Sequence, residues 1–428
     1  MSNNSPQTPG FQAWIIWVTA SLFFFYQYIL LLSYGILGSE IEATFGIGAA
    51  AFGVLSALFS ITYGIFQLPG GILLDRVSVR RLLTAGCALT TAGVVVFGIS
   101  PNVYVAAVGS CLMGAGVCVA FVGATYICSQ WFPPSRFALM AGLTVLVGCL
   151  GGAIMQQVFA ALLNFYGWRT IMAGLAVFGV LTTALLWFII RDRTEQPVPT
   201  SSQGDEDGPG GLGQALGSVL GNPQIWLAGL YIGLILGQSI SFGSVWNIPF
   251  QLAFYKGLAK AALVNSSLFV GLGFGCAAIG AISDRLQRRV RPMQIGAIVA
   301  FFAMGGLIWT PPLHNDVAVV SLLFVLGFAC GASNLSYMLS VENTPPRFSA
   351  TALGFIATMG FVIGGLFQIL PGLMLAANTS SGGGGSDHVE YGIEEYGSAF
   401  IVFPLASVLA LIITFFIRET YCRSRVDT

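Results

Sequence analysis

Charged side chains are scarce in this chain. They make up 8% of its 428 residues, whereas soluble domains carry about 25%. Lysine and arginine total 17, and aspartate and glutamate also total 17, so the formal net charge is zero. A water-soluble globule could not cover its surface with so few charges, and nucleic-acid binding lacks the basic excess it needs. With 56% hydrophobic residues, intrinsic disorder is also excluded.

The usual signatures of catalytic and metal chemistry are also missing. The eight cysteines have no metal-ligand spacing, and we interpret them as small packing residues. The chain has no Gly-Lys-Ser phosphate loop and no evident pair of nucleophile and base. We therefore expect no cofactor, no metal and no enzymatic activity.

Long apolar runs are what the sequence does have. A helix needs about 20 apolar residues to cross a bilayer, and runs that are continuous rather than alternating indicate helices. We predict an all-α polytopic membrane protein with twelve spans. The runs lie at residues 14–37, 50–74, 82–100, 103–130, 137–161, 169–190, 224–251, 261–282, 292–310, 316–340, 349–376 and 398–417.

The basic residues fall on one side of the predicted spans. If the N-terminus is cytoplasmic, 14 of the 17 lysines and arginines face the cytoplasm, and only Arg169, Lys256 and Lys260 lie outside. Cytoplasmic loops of membrane proteins carry this excess. We therefore expect a multi-pass protein of the inner or plasma membrane, in contact with the lipid bilayer, with both termini in the cytoplasm.

The chain divides into two related parts. Residues 191–222 are rich in Pro, Gly, Ser and acids, which is typical of a linker. They separate a predicted N-terminal bundle (1–190) from a C-terminal bundle (223–428). The segment GGILLDRVSVRR recurs 209 residues later as GAISDRLQRR, and PPSRFALMAG recurs as PPRFSATALG at an offset of 211. Because the two pairs of similar segments are separated by nearly the same number of residues, we infer a duplicated six-helix unit.

These motifs resemble those of the major facilitator superfamily. Its signature loop reads G-x-L-a-D-R-x-G-R-K/R, and the segment from Gly71 to Arg81 is similar. The chain departs from it at Ser78, where the family prefers glycine, and at Val79, which replaces the first basic residue. Glycines in helices four and five also resemble the family. The resemblance implies two six-helix bundles related by a pseudo-two-fold axis, working by alternating access.

The resemblance also implies a cytoplasmic gate. In this superfamily the signature aspartate, here Asp75, faces the positive N-terminus of helix eleven, and nearby arginines pair with it or with lipid headgroups. By pseudo-symmetry, Asp284 should act near the start of helix five. The alternative is that these charges only set orientation. The predicted gating residues are Gly71, Asp75, Arg76, Arg80, Arg81, Arg136, Asp284, Arg285 and Arg347.

The middles of the predicted spans contain no Asp, Glu, Lys, Arg or His. Polar uncharged and aromatic side chains occur there instead, and amides and hydroxyls can donate and accept hydrogen bonds. Such a lining suits a neutral or zwitterionic solute, although the same side chains also hold helices together. The predicted substrate-binding residues are Tyr26, Gln27, Tyr34, Tyr63, Tyr126, Gln238, Trp246, Asn247, Asn334 and Tyr337.

The sequence therefore predicts a secondary active or facilitative transporter of a small polar organic solute. One alternative is an exporter or exchanger of organic anions or amphipathic compounds. A second is a transporter-like sensor that does not transport. The expected partners are a small-molecule substrate and lipid, without nucleic acid, and the expected state is a monomer.

Overall fold

A computed structural model describes residues 10–133, 136–191, 212–255, 257–309, 316–345, 348–380 and 391–423. Within these ranges there is no β-strand, and twelve helices are long and apolar enough to cross a membrane. The predicted all-α polytopic fold is confirmed. The helices are α1 (Phe11–Phe45), α2 (Ala49–Arg76), α3 (Val79–Gly98), α4 (Val103–Trp131), α5 (Phe137–Leu162), α6 (Trp168–Ile189), α7 (Pro223–Leu252), α8 (Leu258–Leu286), α9 (Val290–Trp309), α10 (Asp316–Glu342), α11 (Ser349–Ser380) and α12 (Ile393–Thr414).

Part of the predicted linker is helical. A short helix at Leu212–Leu220 precedes α7, within the linker that composition predicts over residues 191–222. Its apolar side chains recur with helical spacing, and Val219 is buried. The carbonyl of Leu220 accepts a hydrogen bond from the Trp226 indole at 2.9 Å. These contacts attach this end of the linker to α7.

Four of the twelve helices depart from regular α-geometry along their length. Helix α4 is interrupted at residues 118–119, and α12 at residues 400–401. Helix α7 contains a π-turn at Phe242–Trp246, and α10 contains a 3-10 turn at Gly331–Asn334. Irregular backbone at membrane depth is tolerated where it is buried in protein, and both the π-turn and most of the 3-10 turn are buried.

The two halves of the chain meet along three pairs of helices, which we call seams. The seams are α1 with α7, α2 with α11, and α5 with α8. Twelve crossings return the chain to its starting side, which we call the inner face, and the opposite side is the outer face.

The seams are in contact toward the outer face, and near the inner face the contact differs from one seam to another. Near the outer face, a β-carbon on Gly35 of α1 would lie 2.7 Å from the Ser244 carbonyl oxygen of α7. At the inner ends of α5 and α8, β-carbons added to Gly142 and Gly280 would meet no atom within 4 Å, and the same is true of Gly71 on α2. The outer ends of the seams are therefore in contact and the inner ends of α5 and α8 are apart. Helices α2 and α11 still meet near the inner face, where a β-carbon on Gly354 would lie 2.9 Å from the Leu68 side chain.

A buried arginine organises the inner surface of the second half. Arg289, in the turn between α8 and α9, is 6% exposed. Its guanidinium lies 2.6 Å from Asp284 and 2.8 Å from Glu342. Burial opposes its charge, but the hydrogen bonds with these carboxylates outweigh that effect and raise the pKa of Arg289. The pairing fixes the turn to the end of α10.

Candidate functional site

A group of uncharged polar side chains lies at the centre of the first half, facing the second. Gln27 of α1 and Gln67 of α2 both lie beside the Tyr63 hydroxyl. All three residues are at most 4% exposed. Tyr63 and Gln67 are four positions apart and so share one face of α2. We call these three residues the central polar cluster.

Side chains of the second half complete the surroundings of this cluster. The ring of Phe361 on α11 lies 4.1 Å from the Tyr63 ring, edge to face. Tyr337 of α10 is also close to Tyr63 and is half-buried. The cluster of the first half is therefore flanked by two aromatic rings of the second half.

The central polar cluster has unused hydrogen-bonding capacity. The side-chain oxygens of Gln27 and Gln67 are buried and have no hydrogen-bond partner among the described residues, and the same holds for the hydroxyl of Ser336 on α10. Buried polar atoms are normally paired, because leaving one unpaired costs about 1–3 kcal/mol. These atoms can form hydrogen bonds with a polar ligand.

No formal charge accompanies the cluster. Within the described ranges, Asp, Glu, Lys and Arg occur only in the turns between helices or within about two helical turns of a helix end. In the same ranges, no three His, Cys, Asp or Glu side chains gather closely enough to hold a metal ion. The chemistry available at the centre is hydrogen bonding and aromatic packing.

Three predicted substrate-binding residues lie instead inside one half. Tyr26 is fully buried and donates to the Leu175 carbonyl of α6 at 3.0 Å. Tyr34 bonds Ser110 of α4 at 2.7 Å. Gln238 bonds Ser407 of α12 at 2.9 Å. The side chains of consecutive helical residues point about 100° apart. Tyr26 therefore faces α6, whereas the adjacent Gln27 faces the central polar cluster.

Two further predicted residues lie in the closed outer part of the seams. The Trp246 indole donates to the Gln368 carbonyl at 3.1 Å and its ring contacts Phe52 of the first half. The Asn247 amide bonds Asn265 of α8 at 2.7 Å. Tyr126 and Asn334 are half-buried. Of the ten predicted residues, the structure brings together Gln27, Tyr63 and Tyr337.

Two of the gating residues whose side chains the structure describes, Arg80 and Asp284, contact groups of their own half. The Arg80 guanidinium lies 4.2 Å from the centre of the Trp187 ring on α6. Asp284 is paired with Arg289, and Arg81, Arg136 and Arg285 are exposed. The side chains of Asp75 and Arg76 and the whole of Arg347 lie outside the described part of the chain. The proposed gate is therefore not tested by these contacts.

Sequence reasoning missed several buried amides. Gln156 of α5 and Asn265 of α8 bond each other across a seam at 3.0 Å, and Gln368 of α11 bonds Ser60 of α2 at 2.9 Å. A buried amide inside an apolar span is costly unless it finds a partner. An amide within the apolar run of α5, α8 or α11 therefore indicates a hydrogen-bonded contact with another helix, even where no other polar residue shares its face.

Comparison with known proteins identifies relatives over most of the chain. The family model described as "Major Facilitator Superfamily" matches residues 14–368. The membrane sensor protein UhpC of Salmonella typhimurium is 26% identical over 315 residues, covering 68% of this chain and 69% of that protein. The uncharacterized transporter YybO of Bacillus subtilis is 21% identical over 373 residues, covering 81% and 83%.

Solved structures share the fold at lower identity. A bacterial homolog of the human lysosomal transporter Spinster, in an inward-facing and unoccupied conformation, has a TM-score of 0.73 at 16% identity, covering 97% of both chains. The nucleoside transporter NupG has a TM-score of 0.74 at 15% identity, covering 94% of this chain and 99% of its own. At these identities, the likeness shows the fold alone.

Proposed function

Because the chain belongs to the major facilitator superfamily, we propose that it carries a small neutral or zwitterionic polar solute across the membrane by alternating access. The observation that supports this solute class is the central polar cluster, which offers unpaired amide oxygens and aromatic rings but no charge. An organic dianion would enter without a partner charge, and an unpaired buried charge costs several kcal/mol.

The cluster can recognise such a solute with both halves at once. The oxygens of Gln27 and Gln67 accept hydrogen bonds from solute N–H or O–H groups, and the Tyr63 hydroxyl can donate or accept. Phe361 and Tyr337 offer apolar surface from the second half. Contacts to both halves couple binding to their relative movement, which is the requirement for transport by alternating access.

A competition series tests the solute class. Purified protein in vesicles should take up a neutral polar solute found by a thermal-shift screen of amino acids, sugars, nucleosides and organic acids. We expect the phosphorylated form of that solute to compete at least tenfold less well, since each 1.4 kcal/mol is a factor of ten in affinity. Stronger competition by the phosphorylated form would contradict the proposal.

Variants of the cluster connect this result to named residues. Gln67→Leu should weaken binding about tenfold, because it removes a hydrogen-bonding group from a buried site. The matched control is Gln157→Leu, which changes an amide of α5 outside the cluster. Equal affinities for both variants would remove Gln67 from the site.

A sensor is the second candidate, and the relatives named as membrane sensor proteins favour it. A sensor would use the same cluster to bind the solute without moving it. The two candidates separate in one preparation: a transporter shows both a solute-dependent thermal shift and uptake, whereas a sensor shows only the shift.

We also propose that Asp75 helps to close the inner side, as its place in the signature loop implies. Asp75→Asn should lower transport about fivefold, because an anion at a helix N-terminus contributes about 1 kcal/mol. Uptake per folded molecule in the membrane is the measurement. Asp284→Asn is the repeat-related comparison, and normal transport by the double variant would contradict the gate.

A further inference from the structure

Four buried amides form a continuous hydrogen-bonded chain near the outer face. Gln251 donates to Asn247 at 3.0 Å, Asn247 donates to Asn265 at 2.7 Å, and Asn265 donates to Gln156 at 3.0 Å. All four residues are at most 2% exposed. The chain begins on α7, passes through α8 and ends on α5, so its last bond joins the two halves.

The same chain is tied to the irregular backbone of α7. The amide of Asn265 also donates to the Gly243 carbonyl at 2.8 Å, and Gly243 lies in the π-turn Phe242–Trp246. The next carbonyl, that of Ser244, is the atom against which Gly35 of α1 packs. The π-turn therefore contacts α1 directly and α5 through Asn265.

We propose that Asn265 is the latch of the outer mouth, joining the π-turn of α7 to α5 so that the outer face opens when the bond to Gln156 breaks. The neighbouring Ser266 donates to the Ala153 carbonyl of α5 at 3.0 Å and strengthens the same seam. Further inward along the α5–α8 seam, β-carbons on Gly142 and Gly280 would meet no atom within 4 Å. The latch therefore joins α5 and α8 at the outer end of this seam, which has to separate when the outer face opens.

The latch is built from neutral groups that are buried in the protein. A buried amide that loses its partner pays the desolvation cost of an unpaired group, which makes partial opening unfavourable and favours two discrete arrangements. When the outer face opens, water or solute can replace the lost partners. The inference rests on alternating access in the proposed function, but not on the identity of the solute.

Hydrogen exchange in lipid nanodiscs, without solute, tests the latch. Gln156→Leu removes the bond from Asn265 to α5 and leaves the bonds from Asn265 to Gly243 and from Ser266 to Ala153. We expect exchange of backbone amides in residues 150–162 and 258–270 to rise about tenfold, because loss of a buried hydrogen bond shifts a two-state population by about that factor. The control Gln157→Leu should exchange like the unaltered protein.

Asn265→Ala removes the bonds to Gln156 and Gly243 and also the one accepted from Asn247, and it provides the second comparison. It should show the same increase in α5 and α8 and an additional increase at residues 242–247. Unchanged exchange in residues 150–162 and 258–270 in Gln156→Leu would overturn the latch, and so would an Asn265→Ala effect confined to α7. Since no solute is present, a failed transport assay leaves this result standing, and a failed latch leaves the proposed solute class standing.

Discussion

Replacing Arg289 with methionine is expected to lower the free energy of unfolding by about 3–5 kcal/mol, the cost of breaking a buried ion pair by removing one partner. The Arg289 side chain is 8% exposed and that of Glu342 is 12% exposed, so the substitution would leave Glu342 buried without its counter-ion. Asp284, at 67%, can be hydrated instead. The melting temperature in detergent and the folded yield from membranes measure the loss.

A double variant separates the charge effect from the packing effect. Arg289→Met with Glu342→Met removes both charges, and buried pairs replaced by apolar residues often lose little stability. We expect the double variant to recover most of the loss. Arg285→Gln, an exposed arginine in the last turn of α8, is the control and should melt like the unaltered protein. Equal melting temperatures for Arg289→Met and Arg285→Gln would show that the buried pair contributes nothing.

Gly327→Ala is expected to cost about 3 kcal/mol, at the upper end of the range for overpacked sites. A β-carbon on Gly327 of α10 would overlap the Leu268 carbonyl of α8, and one on Gly331 would overlap the backbone of Gly275. Backbone atoms cannot move aside as a flexible side chain can. The two helices would have to separate, which disrupts packing along α8 and next to the 3-10 turn of α10.

Gly280→Ala on α8 is the matched control for this substitution. Its β-carbon would meet nothing within 4 Å, and alanine is the better helix former by about 1 kcal/mol. We expect unchanged or slightly higher thermal stability. The prediction fails if the Gly327 and Gly280 variants melt at the same temperature, because close backbone contact would then not determine the cost.

The fold was largely predictable because bilayer thickness and helical rise determine the number of spans. The boundaries were less so: the first predicted run covers residues 14–37, whereas α1 runs from Phe11 to Phe45. Its outer end passes the apolar region and continues as helix through Glu40 and Glu42. Hydropathy predicts the part of a helix that lies in the lipid. The helix itself continues until its backbone hydrogen bonding stops, which for α1 is at Gly46, where φ is 60°.

The central site was only partly predictable for a different reason. Sequence identifies polar residues within spans but not the direction each one faces. Gln27 and Tyr26 are adjacent on α1, yet one lies beside Tyr63 and the other bonds α6. The position of Gln67 can be predicted because it lies one helical turn after Tyr63 on α2. The contact of Phe361 with Tyr63 cannot be predicted from local sequence, because it depends on how α11 packs against α2.

The cluster around Arg289 also bears on the order in which the chain is assembled during synthesis. The side chain of Glu419 accepts hydrogen bonds from the backbone N–H groups of Arg289 and Val290, and so caps the start of α9. The hydroxyl of Thr420 donates to Glu342. Both residues leave the ribosome about 130 positions after α9 begins, when all twelve helices have been made. The inner surface of the second half is therefore completed only after α12 has been synthesised, by the segment that follows it.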